Sequence, residues 1–306
     1  MQSITVVNRL ADAEVDALAG QLLTDDHWDT LVKDDADVYR PDGSVLMKFR
    51  KGALSSAVTG AAWANLRAAA EAQKNDNRGM AAGPLPEWPP VGGMPYGKVG
   101  KRIYHALKAD GTISNTHRAN LVASGIVGYF DRYPRIPYCR LTAYNLAHPG
   151  RFDAARPMIE SVDQVFAKEM PDRYQAQREI IEKTSGDFYI NGTVFTTITV
   201  NKNWQTAVHK DAGDYAPGFG VMTVFWAGKG DGCYFCYPRY GIAVRARTGD
   251  VVLSDVHEWH GNTPFHGLPG RYERLSCVFY YRAKMVNCGS ADEELARART
   301  GVRTVV

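Results

Sequence analysis

The sequence predicts an α+β fold in which short strands build a sandwich or jelly roll and helices support it. Three observations carry this expectation. Helical periodicity is confined to residues before Gly186, the texture then turns β-branched and aromatic, and strand-like runs recur at regular spacing up to about residue 282.

Taken in order, residues 11–23 and 53–73 read as helices. The second does so because AAWANLRAAAEAQ joins strong helix formers to spaced Leu54, Val58, Trp63 and Leu66. Between Met80 and Tyr96 the chain carries Pro84, Pro86, Pro89, Pro90 and Pro95, which neither a helix interior nor a central strand tolerates, so a surface loop is expected. Pro157 can open a helix that keeps Ile159, Val162 and Phe166 on one face until Pro171 stops it, and YQAQREIIEK is helical again. The β region begins with FYINGTVFTTITVNKNWQTAVH and its Asn-Gly turn at 191–192. Strands are expected over 193–201, 205–209, 220–227, 233–237, 242–246, 250–254 and 274–282. The implied division is a mainly helical supporting region with a Pro-rich loop over 1–130, a core over 131–285 and a basic tail over 286–306.

The composition is 45% hydrophobic and 23% charged with a formal net charge of +3, ordinary for a globular protein and too weakly basic to identify a nucleic-acid partner. The start MQSITVVNRLADAEVDAL lacks a basic segment before an apolar one, and no run of ~18 uncharged apolar residues occurs. A cytoplasmic or nucleoid-associated location, with no membrane partner, is therefore expected. Five cysteines do not make a disulfide framework, so a reducing compartment is the simpler expectation.

The chemistry gathers in TAVHKDAGDYAPGFG, residues 206–220. His209 and Asp211 are two apart, so on an extended chain they face one side, where an unpaired carboxylate would be costly. A metal ion compensates that charge. Imidazole plus carboxylate is most of a two-His-one-carboxylate triad, the ligand set of non-haem Fe(II). In GDVVLSDVHEWHGNTPF both His257 and His260 are available as the third ligand, with His260, past the end of a strand and followed by Gly261, the better placed. Farther on, Arg274 and Ser276 share a face, and a guanidinium fork beside a hydroxyl suits the distal carboxylate of 2-oxoglutarate.

With these residues in view, the sequence resembles the TET/JBP family of Fe(II)- and 2-oxoglutarate-dependent dioxygenases, which oxidise the 5-methyl group of pyrimidines in nucleic acid. The resemblance runs from about Tyr138 to Tyr281 through CRLTAYN, HPGRF, PDRYQAQ, TVFTTITVNKNWQTAVHKDAGD, YPRYGIAVRARTGDVVL, HEWHGNTP and RLSCVFYY. It implies a double-stranded β-helix (jelly roll, cupin-like) core flanked by N-terminal and central helices. It further implies His209, Asp211 and His260 as iron ligands, and Arg274 and Ser276 as the 2-oxoglutarate clamp. Arg118, in GTISNTHRAN, would hold the other end of the cosubstrate. O2 is the remaining reactant.

The same resemblance implies Asn145, Asp214 and Arg282 as contacts to the base, although relatives often carry histidine where this chain has Arg282. An accepting Asp214 and a donating Arg282 suit 5-methylcytosine, so hydroxylation of 5-methylcytosine in DNA to 5-hydroxymethylcytosine, with further oxidation open, is the expected activity. Thymine hydroxylation to 5-hydroxymethyluracil is the alternative. DNA with a flipped-out or single-stranded base is the implied partner, because a stacked base cannot reach buried iron. KVGKR at 98–102, YPR at 133–135 and the arginines of ARARTGVRT are candidate phosphate contacts, and Trp204, Tyr215 and Phe219 are candidate stacking groups. Three rivals stand beside this reading: a dioxygenase of another substrate class, a non-catalytic cupin-like binding protein, and a zinc-stabilised DNA-binding module built on Cys233 and Cys236.

Overall fold

A computed structural model describes residues 1–71, 74–75, 78–84, 96–99, 103–107, 113–118, 120–134 and 136–301, with only the backbone described for the strands lying between 74 and 118 and for residue 301. Two facing sheets form the centre. The larger runs in the order Gln2–Thr5, Ala36–Tyr39, Val45–Arg50, Val251–Ser254, Gly220–Gly228, Tyr272–Tyr280, Thr197–Lys202, Val122–Phe130 and Arg140–Leu141. The smaller runs Gly261–Asn262, Phe235–Tyr237, Ile242–Val244 and Thr30–Val32. Met222, Val224 and Val252 of the first meet Phe235, Tyr237 and Val244 of the second in one apolar cluster. This is the two-sheet jelly-roll arrangement expected from the sequence, with each strand alternating its side chains between the interior and the other face.

The outer face of the large sheet is covered by helices Ser56–Glu71, Pro149–Glu169 and Pro171–Ile181. Leu66, Met158, Ile159, Val162 and Phe166 supply their buried stripe against Val127, Ile198, Val221 and Phe279 of the strands. The first of these helices approaches so closely that any Cβ at Gly125 would collide with the Ala69 carbonyl. Among the described residues, no helix is long and apolar enough to cross a membrane.

Several local expectations need correction. The helix anticipated at Pro157 begins at Pro149 and carries Pro157 inside it. An internal proline costs about 3 kcal/mol, which burial of Ala155, Met158, Ile159, Val162 and Phe166 offsets. The helix anticipated over 11–23 is only Asp12–Ala17, because Gly20 adopts φ +77° and turns the chain, so that Leu23 packs in the same apolar cluster as Val15 from outside the helix. Residues 205–209 form no strand and contribute one bridge at His209. The described residues of the first 130 are not mainly helical: Val45–Arg50 pairs with Val251–Ser254 and Thr30–Val32 with Ile242–Val244, so this region extends both sheets. Thr30–Val32 is a three-residue edge strand, and Val45–Arg50, though paired on both sides, is only six residues long, so their signal is weak until a partner strand exists. Of the Pro-rich stretch, Pro84 is described, whereas Pro86, Pro89, Pro90 and Pro95 lie outside the described residues.

The cysteine expectation also changes. Cys139 and Cys288, 149 residues apart in sequence, are joined in a disulfide, and Cys233, Cys236 and Cys277 are free and buried. No spacing rule links positions that distant; only the docking of the C-terminal helix Ala291–Gly301 brings them together. Glu294 of that helix is almost fully buried, accepts from the backbone N–H of Cys139 (2.7 Å) and Gly289 (2.9 Å), and pairs with Arg132.

Candidate active site

The mouth of the jelly roll holds a cavity of about 240 Å³. His209, Asp211 and His260 line it and are the one three-residue group of potential metal ligands found among the described residues. Their arrangement starts in the backbone. His209 N–H donates to the His260 carbonyl (2.9 Å) and His260 N–H to the His209 carbonyl (3.0 Å), a single antiparallel bridge that sets the two imidazoles side by side. Asp211 is fixed by its own N–H, which donates to the Val256 carbonyl at 3.0 Å.

Each imidazole is then oriented by a carbonyl. His209 Nδ1 lies 2.7 Å from the Ala207 oxygen and His260 Nδ1 2.9 Å from the Glu258 oxygen, contacts that need a proton on Nδ1 and leave Nε2 with a free lone pair. Both Nε2 atoms converge on the same carboxylate, 3.4 Å and 3.9 Å from the two Asp211 oxygens. Ligand atoms within 4.8 Å of one another, one carboxylate and two neutral-capable imidazoles fit a divalent transition metal.

The electrostatics agree. Burial alone would raise the Asp211 pKa, but the hydrogen bond and charge of His209, with His260 behind it, hold it down to about 2. Burial, followed by the charge of His209, pushes His260 down to about 4 and so keeps it neutral. For His209, burial opposes protonation but the Asp211 carboxylate prevails and holds its pKa above the ordinary value. One anion and two imidazoles with one shareable proton form a site from which a metal displaces little.

Ser276 also lines the cavity, and Arg274 lies two residues along the same strand, 3% exposed. The backbone N–H of Arg274 is anchored by Asn203 Oδ1 (2.7 Å), while its guanidinium has no carboxylate partner among the described residues. Asp214 and Arg282 meet in a backbone bridge at the other side of the cavity. Burial and then the charge of Asp211 push the Asp214 carboxyl well above the usual range. The Arg282 guanidinium, by contrast, is committed: its Nε donates to Asp131 Oδ1 (2.8 Å), its Nη2 reaches the Tyr133 hydroxyl, and it stacks on Phe130 and Tyr133.

Not every anticipated contact assembles. Asn145 is brought elsewhere: it sits in a short helix, its Oδ1 accepts from Gly128 N–H (2.8 Å) and Thr142 Oγ1 (2.9 Å), and it lines a different pocket with Phe152 and Ile190. The backbone of Arg118 ends the strand Ile113–Arg118, and its side chain lies outside the described residues, as do the side chains of 98–102, Arg135 and Arg303. Of the tail arginines that are described, Arg297 lies 3.8 Å from Glu294. Trp204 lines the cavity, whereas Tyr215 packs edge-on against Tyr281 and Phe219 is buried in the core. His257 hydrogen-bonds Asp255 and stands outside the triad.

The zinc alternative is corrected by the same geometry. Cys236 packs among Val208, Ala243 and Trp259, Cys233 lies against the Trp204 carbonyl, and burial pushes both thiols up, away from the thiolate a zinc site needs. Sequence reading missed Arg78, Asn201 and Tyr280, all of which line the cavity. Tyr280 shares a strand face with Arg274 and Ser276 and was legible from alternation, Asn201 reaches the site by pairing opposite Ser276 on the next strand, and Arg78 stands in KNDNRGM, which carries no periodic signal.

A jelly roll with a His-x-Asp…His triad at its mouth and a buried arginine on a neighbouring strand defines the non-haem iron, 2-oxo-acid oxygenase class. The chain belongs to the Tet_JBP family, the oxygenase domain of the 2OGFeDO superfamily, whose profile matches residues 125–283. Membership implies Fe(II), 2-oxoglutarate and O2 as the reacting set. The chain is 35% identical over 167 residues to thymine dioxygenase JBP1 of Trypanosoma brucei brucei, covering 53% of this chain and 19% of that protein. It is 35% identical over 166 residues to the bifunctional helicase and thymine dioxygenase JBP2 of Leishmania infantum, covering 54% and 15%. It thus matches about a fifth or less of the length of these curated relatives. Among solved structures it resembles NgTET1 in complex with 5mC DNA, with a TM-score of 0.57 at 12% identity over 89% of this chain and 87% of that one, a likeness of fold.

Proposed function

We propose that this chain is an Fe(II)- and 2-oxoglutarate-dependent dioxygenase that hydroxylates the 5-methyl group of a pyrimidine in DNA. The observation that carries this reading is the His209–Asp211–His260 group facing one cavity with Ser276, in a chain of the Tet_JBP family. His209, Asp211 and His260 would hold the iron through Nε2, a carboxylate oxygen and Nε2. When bound, iron and oxo acid activate O2 for insertion into a C–H bond, with the oxo acid decarboxylated to succinate.

The protein's own groups do the rest. Ala207 and Glu258 carbonyls hold the Nδ1 protons so that neither imidazole turns. Arg274 and Ser276 receive the far carboxylate, which fixes the keto end at the triad. Met222, Phe235, Val256 and Val278 give the cavity an apolar lining that excludes water and leaves room for a methyl-bearing ring.

5-Methylcytosine is the substrate we infer. The support is Asp214 on the cavity wall, whose carboxyl oxygen can accept from an exocyclic amino group. Thymine is the second reading, favoured by the names of the curated relatives, thymine dioxygenases in both cases. Arg282 takes part as a positioning group for this wall, given its pairing with Asp131. Incubating the iron-loaded protein with oligonucleotides carrying 5-methylcytosine or only thymine, then digesting to nucleosides for mass spectrometry, decides between them. A gain of one oxygen on neither base would remove the proposal.

A further inference from the structure

The cavity has a wall that lies partly outside the family match of 125–283. Arg78 and Ala81 line it from a short segment near residue 80, and Trp204 lines it from the turn that leads to His209. Ala81, Ala82 and Trp204 pack in one small apolar cluster, and Ala207 N–H donates to the Ala81 carbonyl at 2.9 Å, so the segment is fastened to the stretch that leads to His209.

Three donors on this wall are buried and have no acceptor among the described residues: Nε and Nη2 of Arg78 and Nε1 of Trp204. Arg78 as a whole is half-buried, yet two of its guanidinium nitrogens are buried without an acceptor, which is costly, and arginine does not escape the cost by losing its proton. Its charge is attracted by Asp211 and opposed by Arg282, but Asp211 is already assigned to the metal. Two donor groups on one wall of one cavity are therefore unmet among the described residues; both call for an oxygen acceptor, and the guanidinium favours one bearing negative charge.

We propose that Arg78 and the indole N–H of Trp204 form an oxyanion subsite of the triad cavity, filled by a carboxylate or phosphate group when ligand is bound. It is distinct from Arg274 and Ser276. Arg78 has Asp211, Tyr133, Tyr280 and Arg282 as its electrostatic neighbours, whereas Arg274 acts on Cys233. Two ligands could bring the oxyanion, the oxo acid through a carboxylate or the nucleotide through a phosphate, and assigning either rests on the function proposed above.

The test uses the full chain with Arg78→Met and Trp204→Phe, which keep bulk and remove the donors. In the ligand-free state Arg78→Met melts at or above the wild-type temperature, because it removes two buried donors that lack an acceptor among the described residues. Calorimetric titration of the anaerobic Fe(II) protein with 2-oxoglutarate, and anisotropy of a methylated oligonucleotide at several salt concentrations, then separate the sources. Arg78→Met weakens one of the two by about tenfold or more, Trp204→Phe the same one by less. Loss confined to 2-oxoglutarate assigns a carboxylate; loss confined to DNA, with the salt slope reduced by about one, assigns a phosphate. Inorganic phosphate titrated into wild type and Arg78→Met is the arm that does not depend on the enzymatic reading. Affinities unchanged within about threefold for all three probes, or a lower ligand-free melting temperature for Arg78→Met, would overturn the subsite. Failure of the wild type to bind 2-oxoglutarate, with phosphate binding still lost in Arg78→Met, would overturn the functional reading alone.

Discussion

His209 and His260 exchange both of their backbone hydrogen bonds, at 2.9 and 3.0 Å, and this one bridge brings their ring centroids to 4.4 Å. Asp211 closes the group from the same strand exit as His209. The triad is thus a property of a backbone pairing, and its side chains need little rearrangement to take up a metal.

Replacing His209, Asp211 or His260 by Ala should weaken Fe(II) binding by more than the about 10–100-fold that changes to outer partners produce. Metal content after anaerobic loading and desalting reads this directly. Retained stoichiometric iron in any of the three would remove that residue as a ligand.

Metal affinity should fall on acidification. The His209 pKa is raised in the metal-free protein, so below it a proton competes for Nε2 and each pH unit lowers apparent affinity by about tenfold. His260, pushed down to about 4, adds a second competing proton only in stronger acid. Competition titrations across pH 5–8 test the order; a flat profile contradicts it.

Arg274→Lys keeps the charge and loses the fork. Affinity for 2-oxoglutarate should drop about tenfold or more while iron binding stays intact, as measured by anaerobic calorimetry. Equal affinity would place the carboxylate elsewhere.

Glu294 is the acid-sensitive fastening of the C-terminal helix. Burial opposes its ionisation, but Arg132 and the N–H groups of Cys139 and Gly289 hold its pKa down to about 2. A depressed folded pKa stabilises above the ordinary carboxylate range and is lost as pH falls through it toward 2. Glu294→Gln should therefore cost about 1–2 kcal/mol at neutral pH by replacing charged hydrogen bonds to Arg132, itself 30% exposed, and to two N–H groups with neutral ones, with the gap to wild type closing in acid. Thermal melts at pH 7 and pH 3 check the sign.

The Cys139–Cys288 bond closes a long loop. Cys139→Ser should lower stability by about 2–5 kcal/mol without reductant, and the difference from wild type should shrink when reductant is added. Equal melting temperatures without reductant would show that the bond does not form in solution.

How much of this was legible in the chain follows from the range of each interaction. Alternation of side chains along a strand is local, so His209 beside Asp211, and Arg274 beside Ser276, could be read directly, and so could the β-rich half that carries them. The resemblance of residues 138–281 supplied the pairing with His260, which the backbone bridge then realised. What alternation cannot express is where an edge strand docks or which distant element closes a cavity. The strands of the first 50 residues, the disulfide, the burial of Glu294, the withdrawal of Asn145 to accept from Gly128 N–H, and the placement of Arg78 in the cavity wall with Trp204 all depend on contacts across tens to hundreds of residues. Those contacts exist only once the two sheets have packed, because it is the burial they create that decides which polar groups find a partner and which are left facing the cavity.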